Sequence, residues 1–297
     1  MKRSKLMAMM LAVLVLAALC ACGDGGTQAV RPELAQSGGA GAELTLPDDV
    51  SVGSPGETAS LYELKMDKET SVSQIERCLG IDLSKAEKKT NTLGNEYMID
   101  GYRIDIESER GYWSYSMLNK PPTGSALSMT YDEASAIAKE FVEKNDLWPD
   151  GTDNIRVVDQ TGLLDDGTDG VYEKSVFFYP QVDGRNVLGV YRIAIDISLD
   201  GTIVSVYYLI NPVGEATTVE LKGREDIASD IQSGNYSASP YIDMGSAKIT
   251  DCKLGYYADG IQHGGKTYLF PIYILTGEGT DMERNTDTFD IIIDAQK

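Results

Sequence analysis

The sequence predicts an α+β protein made of repeated units, each one helix followed by an antiparallel β-meander. Two observations carry this reading. Three helix signals each precede runs of β-branched and aromatic residues, and Asp-Gly pairs rather than helices link neighbouring runs. The strict βαβ alternation of a nucleotide-binding parallel sheet is missing.

The first 60 residues stand apart from that pattern. Residues 1–21 begin with Lys2, Arg3 and Lys5 and continue as an apolar run over 6–19. That run is shorter than the roughly 20 residues of a membrane span and suits a signal-peptide core. Leu19, Cys20, Ala21 and Cys22 then resemble a bacterial lipobox, with Leu at −3, a small residue at −1 and Cys at +1. Choosing Cys20 instead would place bulky Leu19 at −1, so the resemblance implies cleavage after residue 21 and lipidation of Cys22. Residues 22–60 are rich in Gly, Ala, Ser and Pro and read as a flexible tether. A small α+β unit is expected over 61–125 and a larger body of two units over 126–297.

Within the body, Ser71 and Gln74 have capping-box spacing, with Ile75 and Leu79 following and Gly80 as the stop. Thr130 and Glu133 form a second such pair, ahead of Ala134, Ile137, Ala138, Phe141 and Val142 on one helical face. A third helix is expected near 224–233, with Ile227 and Ile231 inward and Gly234 closing it. Strands are expected at 96–106, 111–118, 155–158, 171–180, 187–197, 202–210, 248–257, 267–276 and 289–294. Asp183-Gly184 and Asp200-Gly201 mark hairpins. In the 187–197 run, Tyr191, Ile193, Ile195 and Ile197 share one face while Arg192 and Asp196 point to the other. That alternation suits an antiparallel sheet covered on one side.

The stretches TYDEASAIAKEFVEKNDL and VFFYPQVDGRNVLGVYRIAIDISLDGTIVSV resemble PepSY-type modules and the related YycH/YycI extracytoplasmic regulators of a cell-wall sensor kinase. AKITDCKLGYYADG and KTYLFPIYIL are similar to their closing unit, so the resemblance covers about 127–295. It implies a non-enzymatic binding or regulatory role outside the cell. Those regulators carry a transmembrane helix, whereas this chain has a lipobox, which argues against direct intramembrane control of a kinase.

Composition narrows the function classes further. The net charge is −20, from 26 Lys and Arg against 46 Asp and Glu, which disfavours nucleic acid as a partner. A single His and 4 Cys leave little for zinc or for His-dependent catalysis. Residues 260–267 fit the P-loop expression G-x-x-x-x-G-K-[ST], but strand-like sequence follows where a helix must begin, so the match reads as a hairpin containing a solvated His263. The acidic runs 165–170 and 281–287 lack the spacing of a calcium loop and read as turns. Paired Tyr at 207–208 and 256–257, and Tyr112 beside Trp113, are core or cross-strand residues with a binding face as the alternative. Cys78 and Cys252 are expected to stay unpaired, because a bond would force the first unit against the third.

The reading that results is a lipoprotein on the extracytoplasmic face of the cell membrane. It is anchored through Cys22 by acyl chains such as palmitate and acts on an envelope protein or peptide. No catalytic, cofactor-binding or metal-ligating residue is assigned. The alternatives are a cell-wall glycan-active enzyme with paired carboxylates and a solute-binding lipoprotein.

Overall fold

A computed structural model describes residues 30–34, 44–54, 56–65, 68–92, 94–107, 112–148, 154–239, 244–281 and 286–297. The signal segment 1–21, Cys22 and the middle of the acidic run 281–287 lie outside them. In chain order the elements are β1 (Thr58–Leu64), α1 (Lys68–Leu79), β2 (Glu87–Thr90), β3 (Asn95–Ile99), β4 (Tyr102–Glu107), β5 (Tyr112–Met117), α2 (Tyr131–Lys144), β6 (Asn154–Leu163), β7 (Asp169–Tyr179), β8 (Gln181–Val182), β9 (Arg185–Gly189), β10 (Ile193–Ser198), β11 (Ile203–Tyr208), β12 (Val213–Glu220), α3 (Arg224–Ser233), β13 (Ser237–Ser239), β14 (Met244–Ala258), β15 (Thr267–Asp281) and β16 (Thr286–Asp294).

Strand accounts for 51% and helix for 16%, so the expected α+β repeat of helix plus meander is overturned. The chain is mostly β, with two eight-stranded sheets. The physical reason is edge satisfaction: a short meander leaves an open strand edge, and each expected unit closes its edges on another. In the first sheet, ordered β2-β3-β4-β5-β11-β10-β7-β6, β5 pairs antiparallel with β11 and sets Tyr208 opposite Trp113. The boundary expected at 125/126 therefore falls between strands of one sheet, and residues 32–297 form one body.

The alternation in β10 places Ile193, Ile195 and Ile197 in a core with Trp113, Phe178 and Ile104, closed by α1 and α2 through Ile75, Ala138 and Val142. Trp113 is fully buried, donates from Nε1 to Gln74 Oε1 at 2.9 Å and stacks on Tyr208 at 5.2 Å between centroids. Helix α2 starts as expected, since Glu133 N donates to Thr130 Oγ1 at 3.2 Å and Thr130 N to Glu133 Oε2 at 2.8 Å. Helix α1 begins three residues before Ser71, which lies buried inside it. Gly80 still ends it in the left-handed region, at φ +65°.

In the second sheet, β15 pairs with β14 along its length and on its other edge with β1 and then β16. Its core gathers Ile227 and Ile231 of α3 with Leu44, Val50, Leu275 and Ile291. Part of the expected tether is thus a packed strap. Leu44 and Val50 are buried, and Arg224 donates to the Val50 and Leu46 carbonyls at 2.8 and 3.0 Å. A few apolar residues among many Gly, Ser and Pro escaped the compositional reading. Cys78 packs on the first core and Cys252 on the second, and both are free thiols. Burial pushes the Cys78 thiol up to about 12 and the Cys252 thiol up to about 11.

Two expected strands are each divided. Asp100 and Gly101, at φ +49° and +83°, turn the 96–106 run into β3 and β4. The 187–197 run belongs to both sheets: β9 pairs parallel with β14, whereas β10 pairs with β7 and β11. Gly189 makes the transfer possible. Its φ is +86°, and a Cβ there would meet the Ala258 carbonyl oxygen at 2.1 Å. Gly189→Ala should therefore destabilise the protein by roughly 3 kcal/mol, near the upper end for single substitutions. Gly184→Ala, at φ +69° with open space around it, should cost only about 1 kcal/mol. Urea unfolding midpoints of the two variants would check the difference.

Candidate functional site

The first sheet has a second face that no helix covers. Along β10 the residues opposite the core are Ala194, Asp196 and Ser198, and neighbouring strands add Ser175, Phe177 and Tyr207 to that face. Ala258, Asp259 and Gly260 at the end of β14 form the facing wall with Thr267 and Tyr268 at the start of β15. The cleft between them has a volume of about 460 Å³.

Asp196 stands on the floor of the cleft. It accepts from Ser175 Oγ on one oxygen and Ser205 Oγ on the other, each at 2.5 Å, and Gln160 Nε2 donates to Ser175 Oγ at 2.9 Å. These bonds fix the carboxylate and leave each of its oxygens with further accepting capacity. Arg192 lies over the Phe177 ring at 4.8 Å from the centroid and donates to Tyr179 Oη at 3.2 Å. Among the described residues, neither Arg192 nor Asp196 has an ion-pair partner. At the rim, Lys120 is held by Glu173 at 2.7 Å. Thr267 is 7% exposed and its hydroxyl has no hydrogen-bond partner.

His263 is not the solvated loop residue expected. Its Nε2 lies 2.8 Å from Asp259 Oδ2, and its side chain is 17% exposed against 2% for that of Asp259. Asp259 also accepts from the backbone N–H of Ile261 at 2.9 Å and of Glu33 at 3.0 Å, and the imidazole stands edge-on to Phe270. The pair pins the 260–266 loop, which is a β14–β15 hairpin closed by a bridge between His263 and Lys266, as expected. Lys266 turns to Glu63 at 2.6 Å rather than into an anion-binding loop. Of the carboxylates lining the cleft, Asp259 is held by His263 and two backbone donors with its side chain 2% exposed, which leaves Asp196 as the one that can meet a ligand.

The 165–170 run is a β6–β7 turn whose carboxylates also clamp the preceding linker. Thr123 N donates to Asp165 at 2.7 Å and Ser125 N to Asp166 at 2.9 Å, and the backbone and hydroxyl donors of Ser125 and Thr168 hold Asp166 well below the usual carboxylate range. Among the described residues no group of three or more metal-ligating side chains gathers. The paired tyrosines divide by alternation: Tyr208 packs on Trp113, while Tyr207, 50% exposed, lines the cleft. Sequence reading set Arg192 and Asp196 on one face. It missed Ser175, Ser205, Gln160 and Thr267, and the only local signal for the two serines was a polar residue alternating with apolar ones.

No family model matches the chain, and no curated protein matches it. Among solved structures it is similar to an uncharacterized protein from Eubacterium rectale ATCC 33656, at 12% identity over 86% of this chain and 88% of that one, with a TM-score of 0.44. It is also similar to the Bacillus megaterium YpeB C-terminal domain, at 8% identity over 76% of this chain and 98% of that one, with a TM-score of 0.34.

Removing the imidazole in His263→Ala leaves a buried carboxylate with only two backbone donors and should cost about 2 kcal/mol. Lys266→Ala breaks a half-exposed surface pair and should change stability by less than about 1 kcal/mol. Thermal unfolding of both variants checks this, and equal effects would contradict it.

Proposed function

We propose that the protein is a lipid-anchored extracytoplasmic lipoprotein of PepSY-like regulatory kind, with a non-enzymatic role in binding an envelope component. The observation that carries this reading is the cleft. It combines a carboxylate fixed by two serines, a guanidinium stacked on aromatic rings and an unpartnered buried hydroxyl. Groups held this way receive a ligand's polar atoms at low reorganisation cost. The lipobox at Cys22 and the sequence resemblance over 127–295 support the location and the regulatory class. A glycan hydrolase needs two available carboxyls across its cleft, and the engagement of Asp259 favours binding over that chemistry.

A photo-cross-linking residue at Tyr207, in protein expressed in intact cells, tests both parts of the reading. The expected result is a membrane-bound chain with acylated Cys22 and an envelope adduct from Tyr207 but not from Leu163, which is 74% exposed on β6. An unacylated soluble chain would remove the anchor, and the absence of a Tyr207 adduct would remove the binding site.

A further inference from the structure

The arrangement of charge in the cleft narrows what it can hold, provided the cleft is the binding site proposed above. We propose that it takes an amino-acid zwitterion, free or as a short peptide, with the ligand's ammonium on Asp196 and its carboxylate on Arg192. Two opposite charges share one partly buried cleft, and neither has an ion-pair partner among the described residues. Both groups are half-buried, and Asp196 already feels the Lys120 ammonium, so a ligand that brings both counter-charges adds a partner for Arg192 and a second one for Asp196.

The spacing fits this ligand. Arg192 lies over Phe177 and Asp196 is bonded to Ser175, two residues further back along β7. At 3.2–3.4 Å per strand residue, the two charges stand about 7 Å apart along the floor. Ala194, opposite Phe177 in the register, stands level with the guanidinium, and its methyl group keeps the floor low there. A hydrogen bond of about 2.8 Å at each end adds to the ligand's own span, so a free amino acid reaches both charges, and a dipeptide lying along the floor reaches them as well.

The polar groups match as well. An ammonium has three donors and no acceptor, which suits a carboxylate whose oxygens have each taken one serine hydroxyl. A carboxylate suits the planar fork of a guanidinium. Tyr207 and Tyr268 offer ring faces to the ligand's side chain. A neutral sugar would stack on those rings and leave both charges unpaired. A simple anion would meet Arg192 and be repelled by Asp196.

The test uses the full acylated chain in detergent micelles. A panel of free amino acids and dipeptides of L- and D-residues is screened by thermal shift, and the best binder goes to titration calorimetry. N-acetylation and C-amidation should each weaken binding tenfold or more; tighter binding by a free amino acid than by its dipeptides assigns the free amino acid, and the reverse order a short peptide. Arg192→Gln should abolish the preference for acid over amide, and Asp196→Asn the preference for free over acetylated amine. The blocked ligands give the same information on the wild-type chain should a variant fail to fold. Failure of the whole panel overturns the proposal, as does binding indifferent to blocking both ends. If the panel fails while Tyr207 still cross-links an envelope component, the ligand class falls and the binding reading stands. If both fail, the cleft is not the site.

Discussion

Strands β5 and β11 pair through Ser116↔Ser205, Tyr115↔Val206, Ser114↔Tyr207 and Trp113↔Tyr208, and this seam makes one sheet of two halves of the chain. On the inner side it stacks Trp113 on Tyr208 beneath α1, with Gln74 satisfying the indole N–H. On the outer side it brings Tyr112 and Tyr207 to the cleft. Without it β11 would expose an unpaired edge, α1 would lose the ring it packs on, and the β2–β5 meander would be cut off from Ile193, Ile195 and Val206, which complete its core.

The transfer at 190–192 has a comparable weight for the site. Because β9 and β10 belong to different sheets, Arg192 sits where the chain passes from one to the other. The floor of the cleft is first sheet, and much of its wall is the base of the β14–β15 hairpin, which the Asp259–His263 pair stiffens. The same alternation that buries Ile193, Ile195 and Ile197 turns Asp196 outward, so packing and the candidate site are two faces of one strand.

What was legible in the sequence was local. The Thr130–Glu133 capping box, the left-handed glycines at 80 and 234, the Asp183-Gly184 and Asp200-Gly201 turns and the hairpin nature of 260–267 each depend on residues within a few positions of one another. Pairing across the chain was not legible. Nothing near residue 115 announces a partner near 206, and the unbroken alternation from Tyr191 to Ile197 hides the change of sheet at Gly189. Strong helix caps also weighted the fold class toward α, although strand residues far outnumber helical ones. Arg192 and Asp196 could be set on one face from their spacing. The cleft could not be foreseen, because Thr267 and Asp259 reach it from the other sheet.

The β5–β11 seam is tested most directly by the amide NMR spectrum of residues 126–297 expressed alone. That fragment lacks β5 beside β11 and β1 beside β15 and β12. If the seam holds the two halves together, the fragment shows the narrow amide dispersion of an unfolded or molten chain, with dispersion restored when residues 44–125 are supplied in trans. A well-dispersed, folded spectrum from 126–297 alone would contradict it, because the two halves would then be independent units that merely touch.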